Sequence, residues 1–182
     1  MRREFLTPSN ILSISRAVLV IPFVYVMLSS LSTARLWGAF IMILAALTDK
    51  FDGVLARKYG YETDWGRILD PVADKLAIAA GALVLLYLGD IPLWFVIALI
   101  TRDVLIFLGG VYIKAKKGVV LPSNQIGKWA VGVISLAIFL LVLAGPSIVA
   151  SLCIWLSVVF LLVSFGSYVR RFSQELTSLS KA

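Results

Sequence analysis

Histidine is absent from the 182 residues, and cysteine occurs once, at Cys153. Without imidazole there is no Ser-His or Cys-His nucleophile pair and no zinc site that needs a histidine ligand. One cysteine makes no disulfide framework, and because it sits in an apolar run it gives no sign of the redox compartment. Acidic residues are scarce as well, ten against seventeen Lys and Arg, for a net charge of +7. What fills the chain instead is apolar: 60% of residues are hydrophobic and the mean hydropathy is +0.98. That composition is of the membrane class, where an excess of base signals orientation and anionic headgroups before it signals nucleic acid. No stretch interleaves basic and aromatic residues, so no nucleic-acid partner is expected. The length leaves room for one bundle, and residues 1–182 are read as a single membrane domain without internal repeat.

Taken in order, the chain opens with a short basic lead-in containing Arg2 and Arg3. Ser9 or Asn10 then caps an apolar run that reaches about Ser30. The run is too long for the core of a signal peptide and contains Arg16, so it is read as a retained first span. A second span covers Thr33 to Arg57, and a third runs from Gly66 to the turn Gly89-Asp90-Ile91-Pro92. The fourth, Pro92 to Lys114, carries Arg102-Asp103 near its middle. A basic loop with Lys114, Lys116 and Lys117 follows. The fifth span, Ser123 to Gly145, has Lys128 in its second turn. The sixth, Ser147 to Tyr168, is expected to stop at Arg170-Arg171, leaving a frayed polar tail. The expected fold is therefore all-α: an integral membrane bundle of six transmembrane helices.

Charge is one-sided in that arrangement. Arg2, Arg3, Arg57, Lys58, Arg67, Lys114, Lys116, Lys117, Arg170, Arg171 and Lys181 gather on one face of the membrane, and only Arg35 lies on the other. The positive-inside rule then places both termini on the cytoplasmic side of the inner membrane. Trp37, Trp65 and Trp94 fit interfacial belts.

The acidic residues that do exist are concentrated. The stretch from Thr48 to Lys75, TDKFDGVLARKYGYETDWGRILDPVADK, holds Asp49, Asp52, Asp70 and Asp74. On a helix Asp49 and Asp52 are about 60° apart and Asp70 and Asp74 about 40° apart, so each pair shares a face. Carboxylates at the end of an apolar span are costly unless they meet cations or one another. Salt bridges to Arg57, Lys58, Arg67 and Lys75 would satisfy one pair; two pairs with glycines at fixed spacing point further. An all-oxygen cluster without His or Cys suits hard cations such as Mg²⁺ or Mn²⁺.

Written as a pattern, the stretch is D-x2-D-G-x2-A-R-x8-G-x3-D-x3-D, with fixed positions Asp49, Asp52, Gly53, Ala56, Arg57, Gly66, Asp70 and Asp74. This resembles the signature of the CDP-alcohol phosphotransferases at every fixed position. The resemblance implies an integral membrane enzyme that moves a phosphatidyl group from CDP-diacylglycerol to an alcohol and releases CMP. It implies two divalent ions held by Asp49, Asp52, Asp70 and Asp74, with Asp74 also the general base. Gly53, Ala56 and Gly66 would let the nucleotide approach the helix backbone, or serve close helix packing. Arg57 would offer a fork to a phosphate or snorkel to the interface. Thr48 would bond the cytosine or its own helix backbone.

For the acceptor the residues are Arg102, Lys128 and Arg16. Arg102 and Lys128 are bases inside spans, where an isolated cation is expensive, and an acceptor phosphate would explain both. Asp103 or the carboxylate cluster could instead satisfy Arg102. Asn10, Ser13 and Arg16 resemble an Asn-x2-Thr-x2-Arg pattern of the family's first helix, with Ser in place of Thr, which turns Arg16 toward the site.

LDPVADK and the overall length look most like the branch that takes a small phosphorylated alcohol, sn-glycerol 3-phosphate, and makes phosphatidylglycerophosphate. That branch usually shows Arg-Glu where this chain has Arg102-Asp103. Arg-Asp followed by a basic loop also resembles the cardiolipin synthases of the superfamily, which use phosphatidylglycerol; inositol phosphate and serine stay open. The family's habit is a homodimer in the lipid bilayer. A cation or proton carrier is the non-enzyme alternative, since intramembrane carboxylates also line ion paths. Against it, no acidic residue except Asp90 continues the path outward.

Overall fold

The computed structural model describes residues 8–59, 66–117 and 125–179, with side chains described over 11–51, 72–113, 115–116 and 125–174. Six helices make up these residues: α1 (Pro8–Met27), α2 (Ala34–Tyr59), α3 (Gly66–Tyr87), α4 (Leu93–Lys117), α5 (Gln125–Ala144) and α6 (Ile148–Leu179). No strand occurs among the described residues, so the all-α expectation stands.

Three expected boundaries differ. Lys114, Lys116 and Lys117, expected in a basic loop, form the last turn of α4. The chain is already helical at Pro8, so Ser9 and Asn10 lie within α1 and do not cap it. At the other end α6 does not stop at Arg170-Arg171 but continues to Leu179. The two arginines end the apolar run, not the helix. Arg, Gln, Glu and Leu are good helix formers, and no Gly or Pro follows to break the turn.

Two helix ends show why the connections fall where they do. Gly89 has φ +77°, and beyond it the Asp90 amide donates to the Leu85 carbonyl at 2.8 Å while the Gly89 amide donates to Leu86 at 3.1 Å. This pair of bonds is a Schellman cap, which needs a left-handed residue that glycine alone adopts without strain. Gly145, φ +68°, ends α5 by the simpler route, its amide donating to the Leu141 carbonyl at 2.9 Å. Pro146 follows directly and cannot continue the helix.

The chain forms two compact units. One comprises the residues up to Asp90 together with Ile138–Gly145; the other comprises Ile91–Ala137 and the residues from Pro146 onward. In the first, α1 packs against both α2 and α3. A methyl on Gly38 would lie 2.5 Å from the Met27 sulfur, so the glycine sets how closely α2 approaches α1. In the second, α4 packs on α6, and the Tyr168 hydroxyl donates to the Ile106 carbonyl at 3.0 Å.

The buried core is apolar, but large apolar side chains also cover the outward faces, and a few polar groups are enclosed. On α1 the buried positions include Ser13 and Arg16, while Ile11, Ile14, Val18, Ile21 and Tyr25 face outward. Along α6, Ser157 and Ser164 are buried whereas Ile148, Leu152, Leu162 and Val163 are exposed. Apolar surface on that scale is not left facing water. Leu93–Ile113, Gln125–Ala144 and Ile148–Gln174 are each long and apolar enough to cross a bilayer. The chain is a helical membrane protein. Charge keeps α2 and α3 out of that group of three. Asp49, Lys50, Asp52, Arg57 and Lys58 fill the last turns of α2, and Arg67, Asp70, Asp74 and Lys75 the first turns of α3.

Candidate active site

The first three helices bring three of the expected site residues together. Arg16, in the third turn of α1, is 3% exposed although fully charged. A cation at that burial must find carboxylates. It finds two, on different helices. Its Nη2 lies 2.8 Å from Oδ1 of Asp49 on α2, and its Nη1 donates to Oδ1 of Asp74 on α3. Asp49 and Asp74 keep about half their side-chain surface open, 56% and 49%. The fork is engaged unevenly: Nε and Nη2 are buried without a hydrogen bond, so the Asp49 contact is ionic, not a directed bond.

Local sequence explains the placement. Asp49 stands where α2 leaves the apolar run Leu36–Leu47, and Asp74 where α3 enters the apolar run beginning at Leu76. Ser13 and Arg16, one turn apart, form the polar end of α1's buried stripe, which continues through Phe23 and Met27. The backbone puts Asp52 one turn from Asp49 and Asp70 one turn from Asp74. The side chains of Asp52, Gly53, Ala56, Arg57, Gly66 and Asp70 lie outside the described residues. The Thr48 hydroxyl donates to the Ala45 carbonyl at 2.7 Å, the helix-backbone alternative of the two foreseen.

The donors suit a hard divalent ion in kind. Asp49 and Asp74 offer only carboxylate oxygens, and with Oδ1 of each on Arg16, Oδ2 of each is left for another partner. Among the described residues no third His, Cys, Asp or Glu joins them.

Arg102 belongs to the second unit and is satisfied there. It is 10% exposed, with Nη1 2.7 Å from Oδ1 of Asp103 and Nη2 donating to Ser164 Oγ at 2.7 Å. Its Nε is buried without a partner. Of the two counter-ions foreseen for Arg102, Asp103 is the one it takes. Ser164 had no sequence signal, since a serine among apolar residues of α6 looks like any tolerated hydroxyl. Lys128 is exposed in the first turn of α5.

These features define a helical membrane protein with an arginine and two aspartates joined at its first three helices. Residues 6–163 match the family model described as CDP-alcohol phosphatidyltransferase. A Mycobacterium tuberculosis protein named "Probable phosphatidylglycerophosphate synthase" is 34% identical over 172 residues, covering 90% of this chain and 80% of that protein. The CDP-diacylglycerol–glycerol-3-phosphate 3-phosphatidyltransferase of Bacillus subtilis is 33% identical over 178 residues, covering 87% of this chain and 91% of that one. A Mycobacterium bovis protein whose name assigns it, provisionally, as a cardiolipin synthase is 35% identical over 130 residues, 71% of this chain and 61% of its own. The chain belongs to the CDP-alcohol phosphatidyltransferase family. It is a phosphatidyltransferase enzyme, not the ion carrier that intramembrane carboxylates alone left open.

Proposed function

We propose that the chain transfers the phosphatidyl group of CDP-diacylglycerol to sn-glycerol 3-phosphate, forming phosphatidylglycerophosphate and releasing CMP. The observation that carries this reading is the meeting of Asp49 and Asp74, first and last aspartates of the motif, at one guanidinium. Two aspartates 25 residues apart, one on α2 and one on α3, would not share a cation unless the two motif halves formed one site. The acceptor is taken from the relatives in Mycobacterium tuberculosis and Bacillus subtilis, which align over most of the chain.

In this reading Asp49, Asp52, Asp70 and Asp74 hold two Mg²⁺ or Mn²⁺ ions. When bound, such ions neutralise the diphosphate and stabilise the charge that develops as the bond to CMP breaks. The acceptor hydroxyl oxygen attacks the phosphatidyl phosphorus, its proton passes to Asp74, and the P–O bond to CMP breaks with its electron pair leaving on CMP. Arg57 forks onto a phosphate, Gly53, Ala56 and Gly66 give the nucleotide room, and Thr48, whose hydroxyl hydrogen is held by Ala45, meets the cytosine only as an acceptor. Arg102, Lys128 and Arg16 serve the acceptor phosphate.

Phosphatidylglycerol as acceptor is the second reading, favoured by the Arg102-Asp103 pair and by the Mycobacterium bovis relative. We extend the proposal to topology. Helices of 20 to 32 residues are about 30–48 Å long, so all six reach across a hydrocarbon core. The charged ends of α2 and α3 then lie at the cytoplasmic face of the inner membrane with both termini, and the bundle pairs as a homodimer.

CMP release by purified protein from CDP-diacylglycerol, with and without EDTA, tests the reading against a panel of acceptors. Glycerol 3-phosphate should support the fastest release, and chelation should abolish it reversibly. Release driven by phosphatidylglycerol alone selects the second reading; release that ignores chelation removes the metals.

A further inference from the structure

Arg16 is the most deeply buried ionised group among the described residues, and it sits on the two carboxylates that bracket the motif. It lies outside the aspartate signature, on a different helix. We propose that Arg16 is the site's resident counter-cation: it occupies Asp49 and Asp74 in the metal-free enzyme, competes with the divalent ions for them, and gives them up when metal binds. The inference rests on the metal reading above.

Three observations support exchange over a permanent clamp. The guanidinium is held unevenly, with a directed bond to Asp74 and only an ionic contact to Asp49. Nε and Nη2 are buried with no hydrogen bond, so the resting arrangement leaves donors unused. The carboxylates are about half exposed while the arginine is 3% exposed. A cation arriving from solvent can therefore reach Asp49 and Asp74 without first displacing Arg16 into water. A fully hydrogen-bonded, equally enclosed triad would have none of these properties.

The need for such a device follows from charge. Four carboxylates at the end of apolar helices repel one another, and an empty site must be neutralised by something. A solvent cation is one answer; a guanidinium built into α1 is another, because it costs no binding entropy. The same charge opposes metal. A unit charge about 5 Å from a dication, at an effective dielectric of about 20, is repelled by more than the tenfold to hundredfold that lost ligand positioning typically costs. Removing the charge should therefore tighten metal binding even though it loosens the aspartates. Released from Asp49 and Asp74, the fork becomes free for a substrate phosphate, the anion its geometry matches.

Mn²⁺ binding to the full-length protein in detergent, followed by electron paramagnetic resonance, decides it. Arg16→Gln should bind Mn²⁺ at least about tenfold more tightly than the unsubstituted protein, while Arg16→Lys, which keeps the charge, should stay within about threefold. In EDTA, Arg16→Gln should melt lower than the unsubstituted protein, and saturating Mn²⁺ should close most of that gap. Unchanged or weaker binding by Arg16→Gln overturns the proposal and makes the arginine a fixed support. If the unsubstituted protein binds no Mn²⁺, the metal reading fails and this inference with it. A second measurement needs no variant. Labelling of Arg16 by phenylglyoxal, read by peptide mass spectrometry, should rise when Mn²⁺ is added. Labelling that stays level or falls sinks the exchange even where Arg16→Gln does not fold.

Discussion

Arg35, in the first turn of α2, holds the carboxylate of Asp90 at 2.7 Å, and the same guanidinium donates to the Leu141 carbonyl at 2.8 Å. Asp90 is 5% exposed, whereas Arg35 is 35% exposed. One arginine thus ties the start of α2 to the turn after α3 and to the last carbonyls of α5. Arg35→Gln strands a buried carboxylate and should cost about 2–3 kcal/mol, between the values for exposed and fully buried pairs. Asp90→Asn keeps an acceptor and should cost about 1 kcal/mol. Thermal melting in detergent checks both, and the order of the two variants matters more than either size.

Asp49→Asn, Asp52→Asn, Asp70→Asn and Asp74→Asn should each lower CMP release by a factor of at least about 100 while the protein still folds. Arg16 keeps one charged partner in either single variant at Asp49 or Asp74. The double variant removes both carboxylates that the guanidinium meets among the described residues, and should lose about 3–5 kcal/mol of stability. Its destabilisation should thus exceed the sum of the singles. Additive melting shifts would show that the arginine depends on neither carboxylate.

Arg102→Gln should raise the KM for glycerol 3-phosphate about 10- to 150-fold, the loss of one charge-assisted bond to phosphate. The KM for CDP-diacylglycerol should hardly move. Lys128→Gln should behave in the same way, whereas Ser164→Ala tests the support beneath Arg102. Ser164→Ala leaves Nη2 short of a partner and should cost stability before it costs acceptor affinity. Equal loss for both substrates would make Arg102 a counter-ion of Asp103 and nothing more.

Gly109 carries the closest approach in the second unit. A methyl there would collide with the Tyr168 hydroxyl, so Gly109→Ala must push the ring off α4 and break its bond to Ile106. A loss of about 1–3 kcal/mol is expected, against about 1 kcal/mol for Tyr168→Phe, which removes only the bond. Denaturation in a mild detergent series would rank the two.

Lys116→Cys in a Cys153→Ser background reports the side of the α4–α5 connection. An impermeant thiol reagent should label it in inverted membrane vesicles and spare it in intact cells. Labelling from outside would reverse the orientation.

Where the sequence was legible, the reason was periodicity or fixed spacing. Gly89 and Gly145 ended helices where Gly followed by a turn residue or Pro says they should. Polar punctuation misled at Ser9-Asn10, which lie inside α1, at Lys114–Lys117, which end α4, and at Arg170-Arg171, where charge marks the edge of apolarity and α6 runs on. The meeting of Asp49 and Asp74 was foreseen from their motif, and Arg16 was expected to face the site, but as a partner of the acceptor and not as the counter-ion of the two aspartates. A helix register places a side chain on a face; it does not choose between two anions that the face could meet. The Arg35–Asp90 pair was open to inference, since each was the lone charge of its sign on the side of the membrane with few bases. Ser164 was not, because a hydroxyl inside an apolar helix announces nothing until its partner is known.

The inverted surface of α1, with Arg16 and Ser13 inside and isoleucines outside, changes what holds the first three helices together. In hydrocarbon, apolar side chains gain nothing by leaving lipid for protein. Adhesion then falls to close packing at Gly38 and to the charges themselves. A library of substitutions across Asp49, Asp74 and Arg16, scored separately for abundance and for turnover, should show the two scores falling together at these positions. In a soluble enzyme, residues of the active site are commonly stability liabilities whose replacement strengthens the fold. If this cluster is the proposed reactive site and its helices lie in the bilayer, its charges are part of the glue, and the enzyme would have little room to exchange activity for robustness.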